Sequence, residues 1–412
     1  MRHLAYGKGV VSEELGKIDV RDSGLQNRKS TMTEKIEVQG YCDEKFTPVK
    51  NILAESIANG EDLGASVAVY LEGEAVVDLW GGFTDEDKTQ AWQENTIINV
   101  YSTTKTMSFL CALILADRGQ LNFDANVADY WPEFAQNGKA DVKVWHIMDH
   151  AAGLSGVETP MIAEDLYDWD LVTSLLAAQA PWWEPGTKTG YHAITQGYLI
   201  GELVRRITGI SIGEFFRKEI ADPLNADFFI GVPDSEFSRI ADLMPSGGDA
   251  SLVTGTKKDS IANRTFKNPP VTALASRTDA WRRAEIPAAN GHGNARSVAK
   301  IHSILAGKGE ALGTRLLSDA TAQSVMIERI GGNDMVLGMP VSFGLGFGIN
   351  STETPLAPTK NVCFWGGWGG SLALIDQDAN MSFSFVMNKM HQGLMGDLRS
   401  YKLGQAIYAC LK

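Results

Sequence analysis

The sequence is poor in cysteine, has no long apolar run, carries no basic excess and contains no internal repeat or low-complexity tract. Each absence removes a class of protein. Four cysteines, Cys42, Cys111, Cys363 and Cys410, are spread over 412 residues. None forms a C-x-x-C pair and none stands at metal-ligand spacing with a histidine, so neither a disulfide framework nor a cysteine-based metal site is expected. A chain this long with so few cysteines suits a reducing compartment, and the cytoplasm is the expected location. The longest apolar run, Met107 to Ala116, is about half of the roughly 20 residues that a membrane-spanning helix needs. A buried core helix explains it, and no membrane partner is expected. Basic residues (37) are outnumbered by acidic ones (50), for a formal net charge of −13. A polyanion is repelled on average and no basic stripe is present, so no nucleic-acid partner is expected. The N-terminal residues 1–31 lack the apolar stretch of a secretory signal. They are polar and irregular, and the expectation is a flexible leader, with Met32 as an alternative start.

What is present is the composition of a folded protein. Hydrophobic residues make up 44% and charged residues 21%, which argues against disorder. The length suits one large domain or two interleaved ones. Residues 48–59 place Val49, Ile52, Leu53 and Ile57 on one helical face. Two β-rich runs, Ala65–Leu71 and Ala75–Trp80, flank Glu72-Gly73-Glu74 and predict a hairpin. Residues 103–118 predict a strongly apolar helix closed by Gly119. The pattern is then mostly helical or loop-like to about residue 290, with amphipathic helices ending at Gly209 and near Gly307. After about residue 340 the period becomes that of strands: FGLGFGI, NVCFWGG, SLALIDQ and MSFSFVMN, with a turn at Asp378-Ala379-Asn380. DLRSYKLGQAIYACL closes the chain as a helix. The resulting expectation is an α+β fold with a central antiparallel β-sheet built from both ends of the chain, flanked by helices and carrying an inserted, mainly helical region. In domain terms, residues 32–101 plus 300–412 form the sheet-containing part and 102–299 the helical part, with the active site at their junction.

Chemistry concentrates first at Ser102-Thr103-Thr104-Lys105. The i, i+3 spacing puts serine and lysine on one helix face. A serine hydroxyl needs an adjacent base to become a nucleophile. Lysine can be that base where desolvation lowers its pKa, and the apolar run after Lys105 makes such a setting. The helix N-terminus favours an oxyanion developing at Ser102. Two fixed residues also recur by chance: Ser297-Val298-Ala299-Lys300 matches too. Context separates them. Only Ser102 is followed by a tyrosine, Tyr191 in PWWEPGTKTGYHAITQGYLIGELV, and then by a glycine-rich strand, Trp365-Gly366-Gly367-Trp368-Gly369-Gly370-Ser371. A phenol can relay a proton, and a glycine-rich backbone lets N–H groups approach a ligand closely. Gly209-Ile210-Ser211-Ile212-Gly213 imitates the G-x-S-x-G elbow, yet a helix and not a strand precedes it. Ser211 with Glu214 reads as a helix cap.

In this order the three elements resemble the serine β-lactamases and penicillin-recognising enzymes, and above all the β-lactamase-like carboxylesterases of family VIII, which look like class C β-lactamases. The resemblance runs from about Gly64 to the C-terminus and includes the segments Trp145–Gly153, Pro185–Gly209 and Ile286–Ala299, which are typical of these esterases. It implies that Ser102 forms an acyl-enzyme, that Lys105 deprotonates it or holds the network, and that Tyr191 shuttles the proton. The backbone N–H groups of Ser102 and Trp368 would form the oxyanion hole, and Trp365, Gly366, Gly367 and His192 would contact substrate. No metal and no cofactor is implied.

Two departures from the β-lactamase pattern bear on substrate. Tyr-x-Asn is here Tyr191-His192-Ala193, and Lys-Thr-Gly is Trp365-Gly366-Gly367. The missing amide, cation and hydroxyl would hold a β-lactam and its carboxylate. The expected reaction is therefore hydrolysis of short-acyl carboxylic esters, a small-molecule substrate class. A β-lactamase or D-amino-acid peptidase of the same fold is the first alternative, and a catalytically silent binding protein the second. His146 and His150, spaced i, i+4, lack an H-E-x-x-H context and read as structural. His292 reads as shaping a loop. No expectation attaches to the oligomeric state.

Overall fold

The two ends of the chain meet in one sheet. The computed structural model describes residues 37–245, 252 and 255–412, so the leader expected over residues 1–31 lies outside the described residues. Strand β1 (Gln39–Cys42) is followed by the expected hairpin of β2 (Gly64–Leu71) and β3 (Glu74–Gly82). The hairpin loop is shorter than expected. Leu71 pairs with Glu74, leaving only Glu72 and Gly73, at φ 52° and 82°. Two successive left-handed residues match the twist of the flanking strands.

The C-terminal strands are β4 (Ile330–Asn333), β5 (Pro340–Gly344), β6 (Phe347–Ile349), β7 (Val362–Gly366), β8 (Leu372–Asp376) and β9 (Met381–Met387). The run FGLGFGI is not one strand. It folds back at Leu345 and Gly346, both at positive φ, so that Gly344 pairs with Phe347. The sheet order is β1-β3-β2-β9-β8-β7-β6-β5-β4. All its pairings are antiparallel, and β9 pairs with β2 from Met381↔Leu71 to Met387↔Ala65.

Alternation along β2 and β9 gives the sheet two different faces. Ser382 and Ser66 point one way; Phe383 and Val67 point the other. Among the described residues the helices include α1 (Thr47–Ala58), α2 (Lys105–Asp117), α3 (Val144–Met148), α4 (Trp169–Ala178), α5 (Thr195–Thr208), α6 (Ile212–Phe216), α7 (Ile261–Lys267), α8 (Ala295–Ala306) and α9 (Leu398–Leu411). Helix α8 lies on the serine face. Ser382 Oγ donates to the Ala299 carbonyl at 2.7 Å, and Ser66 Oγ accepts from the Ala295 N–H at 3.3 Å. Helices α1 and α9 pack together on the phenylalanine face, where Gly404 meets Phe383.

Helix α2 is the central helix of the helical region. Every residue from Lys105 to Leu115 is buried, the pattern of a helix enclosed on all sides. It packs against α5 and α6. A short three-stranded sheet, in the order Ile98–Asn99, His292–Gly293, Phe228–Phe229, ties the approach to α2 to the segment before α8. His292 is therefore in a strand, not in the loop expected for it. Among the described residues, no helix is long and apolar enough to cross a membrane.

Candidate active site

Ser102 lies in a tight 3₁₀ turn, Tyr101–Thr104, that runs into α2. The preceding residue, Tyr101, has φ 44°, an uncommon backbone conformation for a bulky side chain. Packing enforces it. The Tyr101 hydroxyl donates to the Ala273 carbonyl at 3.0 Å, and its ring lies 5.1 Å from Trp368 and 6.2 Å from Trp281. Backbone strain held in this way collects at functional sites.

Three side chains converge. Lys105 Nζ is 3.2 Å from Ser102 Oγ, and the Tyr191 hydroxyl is 2.5 Å from the same oxygen. Lys105 also donates to the carbonyls of Ala193 (2.7 Å) and Ala288 (2.9 Å). It is fully buried, and among the described residues no carboxylate pairs with it. Burial alone pushes its pKa well below the ordinary lysine range. A neutral amine fits this site: two N–H bonds satisfy two carbonyls, and the lone pair faces the serine. Burial raises the Tyr191 phenol, while the Ser102 hydroxyl and the Trp365 indole pull it the other way. Tyr191 is thus placed as a protonated hydroxyl that donates to Ser102 Oγ.

The glycine-rich segment is mainly a turn. Strand β7 ends at Gly366, and Gly367–Ser371 turn the chain into β8. The turn is seated on the serine-bearing segment. Ser371 Oγ donates to the Val100 carbonyl at 2.9 Å and lies 3.0 Å from Thr103 Oγ1. A Cβ at Gly367 would lie 2.1 Å from the Val100 oxygen, so only glycine permits this approach. Among the described residues, no carbonyl accepts from the N–H of Ser102 or of Trp368. From the far side, Arg399 at the start of α9 donates to the Gly369 carbonyl at 2.8 Å and is itself buried between Asp62 and Asp397.

Ser102 and Tyr191 open into a pocket whose apolar wall includes Tyr101, Leu166, Val172, Ile194, Phe266, Val271, Trp368 and Leu394. Its polar side chains are already engaged. Ser155 and Thr265 hydrogen bond to each other at 2.7 Å, and Thr195 donates to the Leu154 carbonyl. Asn268 donates to the carbonyls of Val157 and Thr159 and accepts from the Met161 N–H. Among the described residues, none that lines the pocket is charged.

The expected substrate contacts are placed differently. Trp365 is fully buried behind Tyr191, with ring centroids 5.5 Å apart, and stacks on His150 at 5.6 Å. Gly366 and Gly367 are buried as well. His192 is fully buried, and both its nitrogens are occupied. Nε2 accepts from the Leu154 N–H at 3.1 Å, and Nδ1 therefore donates to the Gly190 carbonyl at 2.7 Å. Burial pushes its pKa down to about 3. None of the four lines the pocket. They form its backing, because the strand that carries Trp365 runs underneath Tyr191. Of the two prominent tryptophans, only Trp368 lines it.

The two decoy serines have structural partners. Ser211 caps α6, accepting from the Glu214 N–H at 3.2 Å. The reciprocal bond of a capping box is absent; instead the half-buried Glu285 carboxylate accepts from Ser211 Oγ (2.6 Å) and from the Gly213 N–H (3.0 Å). Ser211→Ala should lower stability by roughly 0.5–2 kcal/mol as a lost cap, with turnover of a p-nitrophenyl ester intact. Lost turnover in a folded variant would contradict the capping role. Ser297 Oγ accepts from the Asp227 N–H at 2.8 Å, and Lys300 reaches the Asn225 carbonyl. His146 accepts from the Lys143 N–H and His150 from the His192 N–H. Among the described residues, no cluster of metal-ligating side chains occurs.

The residues that complete the site without a sequence motif are Ala193 and Ala288, which act through carbonyls, together with Arg399 and Asp334. Asp334 accepts from the Tyr191 N–H at 3.0 Å.

A family model described as Beta-lactamase matches residues 49–406. The Esterase/beta-lactamase LipL of Mycobacterium tuberculosis is 33% identical over 377 residues, spanning 87% of this chain and 86% of that protein. The crystal structure of a family VIII carboxylesterase superposes with a TM-score of 0.86 at 40% identity, covering 91% of this chain and 100% of that one. A penicillin-binding protein homologue from Caulobacter crescentus gives 0.84 at 39% identity, covering 90% and 99%. With its antiparallel sheet, its apolar α2 and the cluster at Ser102, the chain belongs to the beta-lactamase family.

Proposed function

We propose that this protein is a serine carboxylesterase that hydrolyses short-acyl esters through an acyl-enzyme on Ser102. The observation that carries the reading is the contact of Ser102 Oγ with Lys105 Nζ at 3.2 Å and the Tyr191 hydroxyl at 2.5 Å, at an uncharged apolar pocket. Ser102 Oγ attacks the ester carbonyl. Its proton passes to the Lys105–Tyr191 pair, which returns it to the departing alkoxide. Water then repeats the sequence and frees the acid. The N–H groups of Ser102 and Trp368 receive the oxyanion. Names borne by relatives support the class: LipL is an esterase/beta-lactamase, and EstB of Burkholderia gladioli, 28% identical over 179 residues, is an esterase.

The pocket supports ester over β-lactam substrates. A β-lactam brings a carboxylate, and an unpaired charge in an apolar site is costly. The described lining offers no cation, and its polar groups are engaged within the protein. An uncharged acyl or alcohol group meets Val172, Phe266 and Trp368 instead. We read the site as the junction between a sheet-bearing part, residues 32–101 plus 300–412, and a helical part, residues 102–299. All four cysteines are free thiols, which supports the cytoplasmic reading.

The test is kcat/KM on p-nitrophenyl acetate and butyrate beside nitrocefin and a penicillin. The esters should be turned over efficiently and the β-lactams slowly or not at all. Equal or better efficiency on the β-lactams would reinstate the β-lactamase alternative.

A further inference from the structure

We infer that Asp334 is a positioning residue for acyl transfer: it fixes the backbone at Tyr191 and thereby the reach of the phenol to Ser102. This rests on the reading of Tyr191 as the proton relay. Asp334 lies between β4 and β5, far along the chain from the site it serves, and is 2% exposed. Its Oδ1 accepts three backbone N–H groups, from Tyr191 (3.0 Å), Val336 (2.9 Å) and Leu337 (2.8 Å). A second link runs beside it, from the Met335 N–H to the Thr189 carbonyl at 3.0 Å. Among the described residues no cation pairs with Asp334, and the Thr189 hydroxyl is the one side chain that interacts with its carboxylate as a hydrogen-bond donor.

A buried carboxylate kept without a counter-ion needs a reason, because an apolar replacement avoids its desolvation cost. Tyr191 supplies one. It belongs to no helix or strand and precedes α5, so no ladder of backbone bonds orients it. Asp334 takes its N–H, and His150 takes the N–H of the next residue at 3.0 Å. The groups facing the Tyr191 side chain are Ser102 and Lys105 from the start of α2, His150 from beyond α3, and Trp365 from β7. None of these holds its backbone through a side chain except His150. Charge-assisted bonds to N–H groups are stronger than neutral ones, and displacement of a reacting group by about 1 Å can cost on the order of 10²-fold in rate.

The test is a double-mutant cycle on p-nitrophenyl butyrate. Asp334→Ala should lower kcat by about 10- to 10²-fold. KM should change little, since Asp334 does not line the pocket. In a Tyr191→Phe background the same substitution should cost nothing further in kcat, because the group it positions is gone. Asp334→Asn keeps an oxygen acceptor and should recover most of kcat. An Asp334→Ala loss of equal size in both backgrounds, or no loss in either, overturns the inference. Should the alanine variant not fold, Asp334→Leu, which also removes the acceptor of the Tyr191 N–H, carries the same cycle: a kcat loss that vanishes in the Tyr191→Phe background supports the inference, and a loss that persists there, or none, overturns it. A Tyr191→Phe single variant with full kcat removes the proton-relay reading itself. A crippled Tyr191→Phe enzyme that responds additively to Asp334→Ala removes only the role of Asp334.

Discussion

Ser102→Ala should abolish both ester turnover and labelling by a fluorophosphonate probe, while the wild-type protein takes up one phosphonate, on Ser102. Loss of a nucleophile in comparable serine hydrolases lowers kcat by on the order of 10⁴- to 10⁶-fold, the remainder coming from binding and the oxyanion hole. The structure gives reason to expect a folded variant. Among the described residues Ser102 Oγ bonds only to Lys105 and Tyr191, so no strand or helix there depends on it. Intact-protein mass spectrometry counts the adducts and peptide mapping places them. Ser211 and Ser297 are the competing sites, and each already has a structural duty, one as a helix cap and one as acceptor for the Asp227 N–H. An adduct on either would displace Ser102 as the nucleophile. A wild-type protein that takes up no probe would favour the silent binding protein.

How much of this was legible in the sequence depends on the kind of residue. The candidate catalytic side chains are few in type and stand at fixed spacing on a helix start, so Ser102 and Lys105 can be picked out, and Tyr191 follows from chain order. The sheet built from both termini is legible because β2, β3, β8 and β9 have apolar runs bounded by turn residues. Strand β4, Ile330-Gly331-Gly332-Asn333, has no such pattern. It exists because β5 supplies a partner, and its residues are mostly exposed at the edge of the sheet. The same limit applies at the site. Ala193 and Ala288 contribute only backbone oxygens, which any residue carries, and Asp334 is one acidic residue among fifty aspartates and glutamates. Its importance is a tertiary fact. Trp365, Gly366, Gly367 and His192 stand behind the pocket and not in its lining, for a related reason. Motif spacing places a segment near the site, but only the alternation of side chains along β7 and the packing of His150 decide which face looks into the pocket.

The largest effect of pH should trace to Lys105. As pH rises, kcat/KM should climb through the Lys105 pKa and then level off. The sign follows from the burial. Lys105 is fully enclosed and has two carbonyls but no carboxylate for company, so the charged form is disfavoured and the pKa lies well below that of an exposed lysine. Below that pKa the ammonium has no lone pair to receive the Ser102 proton, and activity falls as pH falls. Above it the amine is free and activity holds. The neighbouring histidines do not compete for this limb. Burial pushes the His192 pKa down to about 3 and likewise lowers that of His150. Lys105→Met should reduce kcat by about 10²- to 10⁴-fold, the range for a lost general base, and the residual rate should lose the acidic limb. Tyr191→Phe should fall by a similar factor yet keep that limb, since the lysine still titrates. Lys105→Arg separates a base from a mere positive charge, because a guanidinium stays protonated: a pure electrostatic role predicts rescue, and a base predicts none. Near-normal turnover in Lys105→Met, or an acidic limb unchanged in its residual rate, would remove Lys105 as the activator of Ser102.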